Sequence, residues 1–235
     1  MKDQTPIYNI TPFTLLDYPD KVACIIRLAG CNMRCVYCYN PEIVLGKGTI
    51  NFEKVLEFLK LRKGILDGVV LSGGECTMHS KIIWLMKEIK AMGFLIKLDT
   101  NGSRPLMIEH LVNLKLPDYI ALDFKALPDK FEAITGSDLF ENFEHTLSFL
   151  IASGQKFEVR TTVHSDLIKE NDLERMMRYL SLMKYKGTYY IQQFVNGVPT
   201  VGNVGHSIST FNMQDIVSEL ENAAHSRYHI DLVFR

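Results

Sequence analysis

Apolar runs of strand length alternate along the chain with segments of helical period. The strand-length runs cover residues 22–28, 68–71, 94–98, 119–123, 157–163 and 189–194. Segments of helical period cover 52–62, 81–92, 105–114, 142–153, 170–183 and 213–224. In the second of these, Ile82, Leu85, Met86 and Ile89 fall at i, i+3, i+4 and i+7, with Lys87 and Glu88 between them. That spacing puts one apolar stripe on a helix. Ser80 suits its N-cap, and Gly154 suits the residue just past the end of the fourth helix. The last stretch, 230–234, reads as a short seventh strand. Residues 1–20 read as an irregular extension with strand-like pieces.

Six βα units in series predict a parallel sheet with right-handed crossovers. Several of the strands are continuous apolar runs, as strands buried on both faces should be. The sheet is either open or curled into a barrel, and the placement of polar clusters favours the barrel. AGCNMRCVYCYN, SGGEC, DTNG, DFK, VRTTVHS and QQFVNG each stand at or just after a strand end. The carboxyl ends of parallel strands share one face, and a curled sheet makes such clusters converge there. The expected fold is therefore α/β, a partial (βα)6 barrel of the TIM type, with residues 1–235 forming a single domain.

Charge and composition narrow the partners. The chain has 26 Lys and Arg against 27 Asp and Glu, a formal net charge of −1. This balance gives no support for a nucleic-acid or membrane-surface partner. No apolar run approaches the roughly 20 residues of a membrane span, and the first residues lack the apolar core of a signal peptide. A cytoplasmic protein is the expectation. Five cysteines are then unlikely as a disulfide framework, and three of them, Cys31, Cys35 and Cys38, fall within eight residues.

Three thiolates on one short loop reach three corners of an iron–sulfur cubane or three positions of a zinc tetrahedron. The first histidine of the chain is His79, far from this loop. The local ligand count therefore stops at three, which leaves an open position of the kind that binds a substrate. Two bland readings stand beside this one. Buried free cysteines are common. A structural zinc site completed by Cys76, which follows the second strand, shares the same soft-ligand chemistry.

Cys31-x-x-x-Cys35-x-x-Cys38 after the first strand, with Gly73-Gly74-Glu75 after the second, resembles the radical S-adenosylmethionine (SAM) superfamily. DYPDKVACIIRLAGCNMRCVYCYNPEIV, LSGGE, LDTNG, ALDFK and VRTTVHS resemble the glycyl-radical-enzyme activating proteins. Among these the chain looks most like the activators of anaerobic ribonucleoside-triphosphate reductases. The likeness spans roughly residues 7–200. It implies a [4Fe–4S] cluster on Cys31, Cys35 and Cys38. It also implies that Gly73, Gly74 and Glu75 hold the methionine amino group of S-adenosylmethionine. Glycines allow close backbone approach, and a glutamate can accept from an ammonium. Relatives usually have proline where Cys76 stands, and histidine where Tyr39 stands.

The resemblance also implies that Asp99 and Asp123 hold a monovalent cation, with Lys125 near the cofactor carboxylate and Arg160 beside the cofactor. Tyr37, Tyr39, Asn40 and Asn101 complete the expected cofactor-binding set. Tyr37 and Tyr39 read equally well as packing, and Asn101-Gly102 as a plain turn. His79, His164 and His206 are given no role, because the cofactor carries the difficult chemistry.

The implied activity is that of an oxygen-sensitive oxidoreductase. Reductive cleavage of S-adenosylmethionine yields a 5′-deoxyadenosyl radical, which takes a hydrogen atom from a glycine of a partner enzyme. Flavodoxin or ferredoxin is the expected reductant. Little sequence lies beyond the six βα units to build a lid, and no second cysteine-rich insert suggests an auxiliary cluster. Two rival readings remain: a radical enzyme acting on a small molecule or peptide, and a non-catalytic zinc-stabilised binding protein.

Overall fold

The computed structural model describes residues 5–208, 222 and 224–235. Eight strands form one sheet in the order of the chain: β1 (Ile7–Thr14), β2 (Ala23–Leu28), β3 (Gly68–Gly73), β4 (Leu95–Thr100), β5 (Tyr119–Asp123), β6 (Phe157–Val163), β7 (Thr188–Gln193) and β8 (Asp231–Phe234). β1 runs antiparallel to β2, and every later neighbour is parallel. β2 to β7 are the six strands expected from the apolar runs. With β8 they make the curled, incompletely closed sheet of a partial barrel.

The helices are α1 (Pro41–Leu45), α2 (Phe52–Lys60), α3 (Ile82–Ala91), α4 (Pro105–Asn113), α5 (Pro128–Thr135), α6 (Phe140–Ser153) and α7 (Glu170–Leu182). Five of the six expected helices are present. The sixth, 213–224, falls almost entirely outside the described residues. α2 begins with Asn51, whose side chain accepts the N–H of Lys54 at 2.9 Å. α6 ends at Gly154 with φ +72°, as the sequence suggests. α3 departs from expectation at its start. Lys81, not Ser80, is its first flanking residue, and no side chain caps it. A 3₁₀ turn at Cys76–Met78 takes up the chain just before it.

α1 and α5 were not foreseen. At five and eight residues both are too short for a 3.6-residue period to show, and each begins with proline. The N-terminal extension is also more regular than expected. β1 hides its pattern because Pro12 lies at the register break between Thr11 and Thr14, where the edge ladder tolerates a missing N–H.

Alternation along the strands divides the core. Cys24, Ile26, Leu28, Val69, Leu71, Ile96, Leu98, Ile120 and Leu122 join the large cluster with Val55, Leu85, Ile89, Ile108 and Leu147 of the helices. The opposite faces of β2 and β3 form a smaller plug of Ala23, Ile25 and Val70 with Tyr18. Beyond that plug the inward positions turn polar: Ser72, Asp99, Asp123, Arg160, Thr162 and Gln192. These residues line one cavity at the carboxyl ends of the parallel strands. The apolar plug keeps the inner wall rigid, while the polar end of the same wall carries chemistry.

Candidate active site at the carboxyl ends of the strands

The cavity has a volume of about 680 Å³, within the roughly 300–1,000 Å³ of small-molecule sites. All three clustered cysteines line it. Their loop is held from two sides. Arg34 N and Val36 N donate to Thr135 O (2.7 Å) and Ile134 O (2.9 Å) at the end of α5. Val201 N and Gly202 N donate to Cys38 O (3.0 Å) and Val36 O (2.9 Å). Arg34 Nη1 closes the loop on itself through Cys31 O at 2.7 Å. Burial pushes the Cys31 thiol up to about 11 and raises the Cys35 thiol as well. Metal ligation, which takes the thiolate, must therefore displace these protons.

Gly73 and Gly74 bring β3 against this loop. A Cβ on Gly74 would sit 1.8 Å from Gly30 O, directly before Cys31, and Gly73 has φ +120°. Only glycine allows that approach. The two glycines line the cavity, but Glu75 does not. Its side chain is fully buried and points into the protein. Oε1 accepts from Thr77 N (3.1 Å), Thr77 Oγ1 (2.6 Å) and Thr100 Oγ1 (2.9 Å), and Oε2 from Asn101 N (2.8 Å). Against the cofactor-facing Glu75 that the resemblance implies, the carboxylate here is engaged by four donors inside the protein. Backbone at Gly73 and Gly74 is what this segment offers the cavity.

Asp99 and Asp123 do approach each other, but through an arginine. Arg160 Nη2 lies 3.4 Å from Asp99 Oδ2, and Arg160 Nε hydrogen-bonds to Asp123 Oδ1. Lys97 Nζ holds Asp99 at 2.6 Å, and Lys125 Nζ holds Asp123 at 3.0 Å. The position expected to bind a monovalent cation is thus neutralised by side chains. Burial would push Asp123 up, but Arg160 and Lys125 outweigh it and hold its carboxyl well below the usual range. Burial likewise opposes the charge on Lys125, and Asp123 outweighs it and raises the amine. Three cations face two carboxylates here, so one positive charge is left for an anionic ligand group.

The aromatic residues of the loop differ in role. Tyr37 is buried beneath the cavity, with Lys125 Nζ 5.8 Å from its ring centroid. Its hydroxyl is buried and has no hydrogen-bond partner among the described residues, which leaves a polar atom free to meet a bound group. Tyr39 stacks on Phe194 with centroids 5.1 Å apart, and its hydroxyl accepts Val195 N at 2.6 Å. It ties the cysteine loop to the end of β7 and still borders the cavity. Asn40 stands at the start of α1, where its carbonyl accepts from Ile43 and Val44. Asn101 lines the cavity with its amide engaged on both sides.

Cys76 lies outside the cavity. It is fully buried, and its thiol donates to Ser72 O at 3.1 Å, which removes it as a fourth ligand to the loop. No three His, Cys, Asp or Glu side chains converge on a single ion among the described residues. Ligands on separate corners of a multi-iron cluster need not converge on one point. His79 donates from Nε2 to Ala29 O (2.9 Å), and His164 to Gly205 O (3.0 Å). Neither lines the cavity.

Sequence reasoning missed Lys97, Arg27 and Asp17. Lys97 was absorbed into an apolar strand, although a lysine at an inward position was the available signal. Arg27 donates to Thr11 Oγ1 at 2.6 Å and borders the cavity with Asp17. Arg27 carried the same signal as Lys97, a cation at an inward position of β2, whereas nothing in one sequence marks Asp17, which follows β1.

The described thiols, the orphan Tyr37 hydroxyl and the surplus positive charge fit a cluster with an amino-acid-like cofactor, and known proteins agree. The family model for the radical SAM superfamily matches residues 25–182. A Methanocaldococcus jannaschii protein named as a glycyl-radical enzyme activating enzyme is 32% identical over 80% of this chain and 79% of its own length. The pyruvate formate-lyase-activating enzyme of Clostridium pasteurianum is 30% identical over 70% of this chain and 72% of its own. A 7-carboxy-7-deazaguanine synthase of Aquifex aeolicus is 23% identical over 65% and 63%. Among solved structures, Streptococcus suis SuiB bound to S-adenosylmethionine superposes with a TM-score of 0.71 at 11% identity. That likeness shows the fold. It covers 88% of this chain, which spans about half of that one. No helix among the described residues is long and apolar enough to cross a membrane. The chain belongs to the radical SAM superfamily, whose members use a [4Fe–4S] cluster and S-adenosylmethionine.

Proposed function

We propose that this radical SAM enzyme generates a glycyl radical on a partner enzyme, with an anaerobic ribonucleoside-triphosphate reductase as that partner. The observation that carries the reading is the meeting of Cys31, Cys35, Cys38, the orphan Tyr37 hydroxyl and the Asp99–Arg160–Asp123 cluster around one cavity. The names of the Methanocaldococcus and Clostridium relatives support the activating role. The reductase is the finer step, and it rests on the wording of the loop motifs.

Cys31, Cys35 and Cys38 would hold the cluster, leaving one iron for the cofactor. Gly73 and Gly74 let the backbone of β3 approach the methionine end of the cofactor. Lys125, with the surplus charge of its cluster, would meet the cofactor carboxylate, and Arg160 is held between Asp99 and Asp123. Tyr39 and Phe194 form an apolar wall. Together the bound groups supply one electron and the 5′-deoxyadenosyl radical that abstracts hydrogen. The reaction then needs no acid or base from the chain, in keeping with histidines that are tied to backbone carbonyls. Flavodoxin or ferredoxin is the proposed reductant.

The deazaguanine synthase relative favours a second reading, a radical enzyme acting on a small molecule. Anaerobic reconstitution followed by an assay for 5′-deoxyadenosine, with and without each candidate partner, separates the two. The activating role predicts a stable glycine-centred radical in the partner by electron paramagnetic resonance. Cleavage of S-adenosylmethionine without such a radical on any candidate, and with turnover of a small substrate, would sink it.

A further inference from the structure

Asn101 stands between β4 and the cysteine loop, and its amide has one possible orientation. Oδ1 accepts the backbone N–H of Ser103 at 2.9 Å, so Nδ2 faces the loop. There it donates to Asn32 Oδ1 at 3.1 Å and lies 3.9 Å from Cys31 Sγ. Asn32 in turn donates to Ser103 Oγ at 2.7 Å, and with the Ser103 backbone N–H this closes a ring of three residues. Asn142 of α6 fastens the ring from outside by donating to Ser103 O at 2.9 Å. The backbone N–H of Asn101 is held by Glu75, the residue whose carboxylate turned out to face away from the cavity.

The three cysteines are not equivalent in this setting. Cys31 Sγ has two N–H donors close by, Met33 N at 3.5 Å and Asn101 Nδ2 at 3.9 Å. The sulfur of Cys35 is met by its own backbone N–H, and among the described residues neither Cys35 nor Cys38 has a side-chain N–H donor at its sulfur. Donors near a cluster sulfur stabilise the extra negative charge of the reduced state and raise its potential. Hydrogen-bond partners that orient a direct ligand tune the metal it holds.

We infer that Asn101 is a positioning residue for Cys31 that donates to its sulfur and raises the reduction potential of the cluster, with Glu75 holding Asn101 in place for that purpose. This rests on Cys31 being a cluster ligand and is independent of which partner is activated.

The test compares Asn101→Ala and Asn101→Asp with the parent protein after anaerobic reconstitution. Iron and sulfide content are measured, then the midpoint potential by redox titration followed by electron paramagnetic resonance. Both variants should keep the iron of the parent and show a lowered midpoint potential. The shift should be larger for Asn101→Asp, which keeps an acceptor for Ser103 but replaces the donor with a negative charge. Of the exchangeable-deuteron couplings to the reduced cluster, the one from the Asn101 amide should be missing in Asn101→Ala while that of the Met33 N–H stays. Unshifted potentials, or loss of iron from both variants, overturn the inference, the latter by making Asn101 merely structural. Cys31→Ala is measured alongside. If it keeps its full iron, the ligand assignment fails and takes the inference with it; if it loses iron while the Asn101 potentials stay put, the inference fails alone.

Discussion

Glu75 Oε2 accepts the backbone N–H of Asn101 at 2.8 Å, so a buried carboxylate joins the end of β3 to the turn after β4. The same carboxylate holds Thr77 and Thr100. In Glu75→Gln, the amide would turn a donor toward one of these donors. Leaving a buried N–H unpaired costs about 1–3 kcal/mol. The cluster-free variant should therefore unfold at lower denaturant than the parent, by about 2 kcal/mol. An unchanged unfolding midpoint would show that the carboxylate has no structural duty and return it to the cofactor.

Gly74→Ala tests the closeness of β3 to the cysteine loop. The new Cβ would meet Gly30 O at 1.8 Å, a backbone atom with no flexible end to move aside. Overpacking of this kind costs about 3 kcal/mol or displaces the loop. Reduced thermal stability together with reduced iron content after reconstitution is the expected result. Full iron content at parental stability would place the two segments further apart than described.

Asp123→Asn tests the charge cluster. Removing one partner of a buried pair costs about 3–5 kcal/mol, and Asp99 still faces Arg160, so about 3 kcal/mol is expected near neutral pH. The folded carboxyl of Asp123 is held below its unfolded value of about 3.9. Its contribution is thus fully present above that pH and is lost as pH falls through it toward the depressed folded value. Chemical denaturation of parent and variant between pH 7 and pH 3 should show the gap narrowing only below about pH 4. A gap of constant size across that range contradicts the assignment.

Cys35→Ala and Cys76→Ala should part company. Cys35 lines the cavity, whereas the Cys76 thiol is buried against Ser72 O. Cys35→Ala should lose both iron and 5′-deoxyadenosine formation. Cys76→Ala should keep both and lose about 1 kcal/mol of stability through a small cavity. Iron loss in Cys76→Ala would revive the zinc-type reading in which that residue is a ligand.

Much of this molecule was legible before any coordinate. The strands from Ala23 to Gln193 followed from apolar runs, because parallel strands buried on both faces admit few polar residues. The convergence of the motifs followed from connectivity, because every parallel strand delivers its carboxyl end to the same face. Cys31, Cys35 and Cys38 were legible because their meaning depends on spacing within one loop. β1, α1 and α5 were not, since a proline-broken edge strand and helices of five and eight residues show no readable period.

Side-chain direction and partnership needed the tertiary structure. Glu75 and Cys76 stand beside Gly74 in the chain, yet the 3₁₀ turn after β3 carries both away from the cavity. Asp99 and Asp123 lie 24 positions apart, and only the register of β4, β5 and β6 brings Arg160 between them. Lys97 stands within an apolar run, and its inward position on β4 sets it against Asp99. The chain by itself determined what kind of chemistry the loop carries and where the strands end. Which carboxylate serves the site, and which serves the frame around it, was decided by packing between segments distant in sequence, because burial and hydrogen-bond partners are properties of neighbours in space.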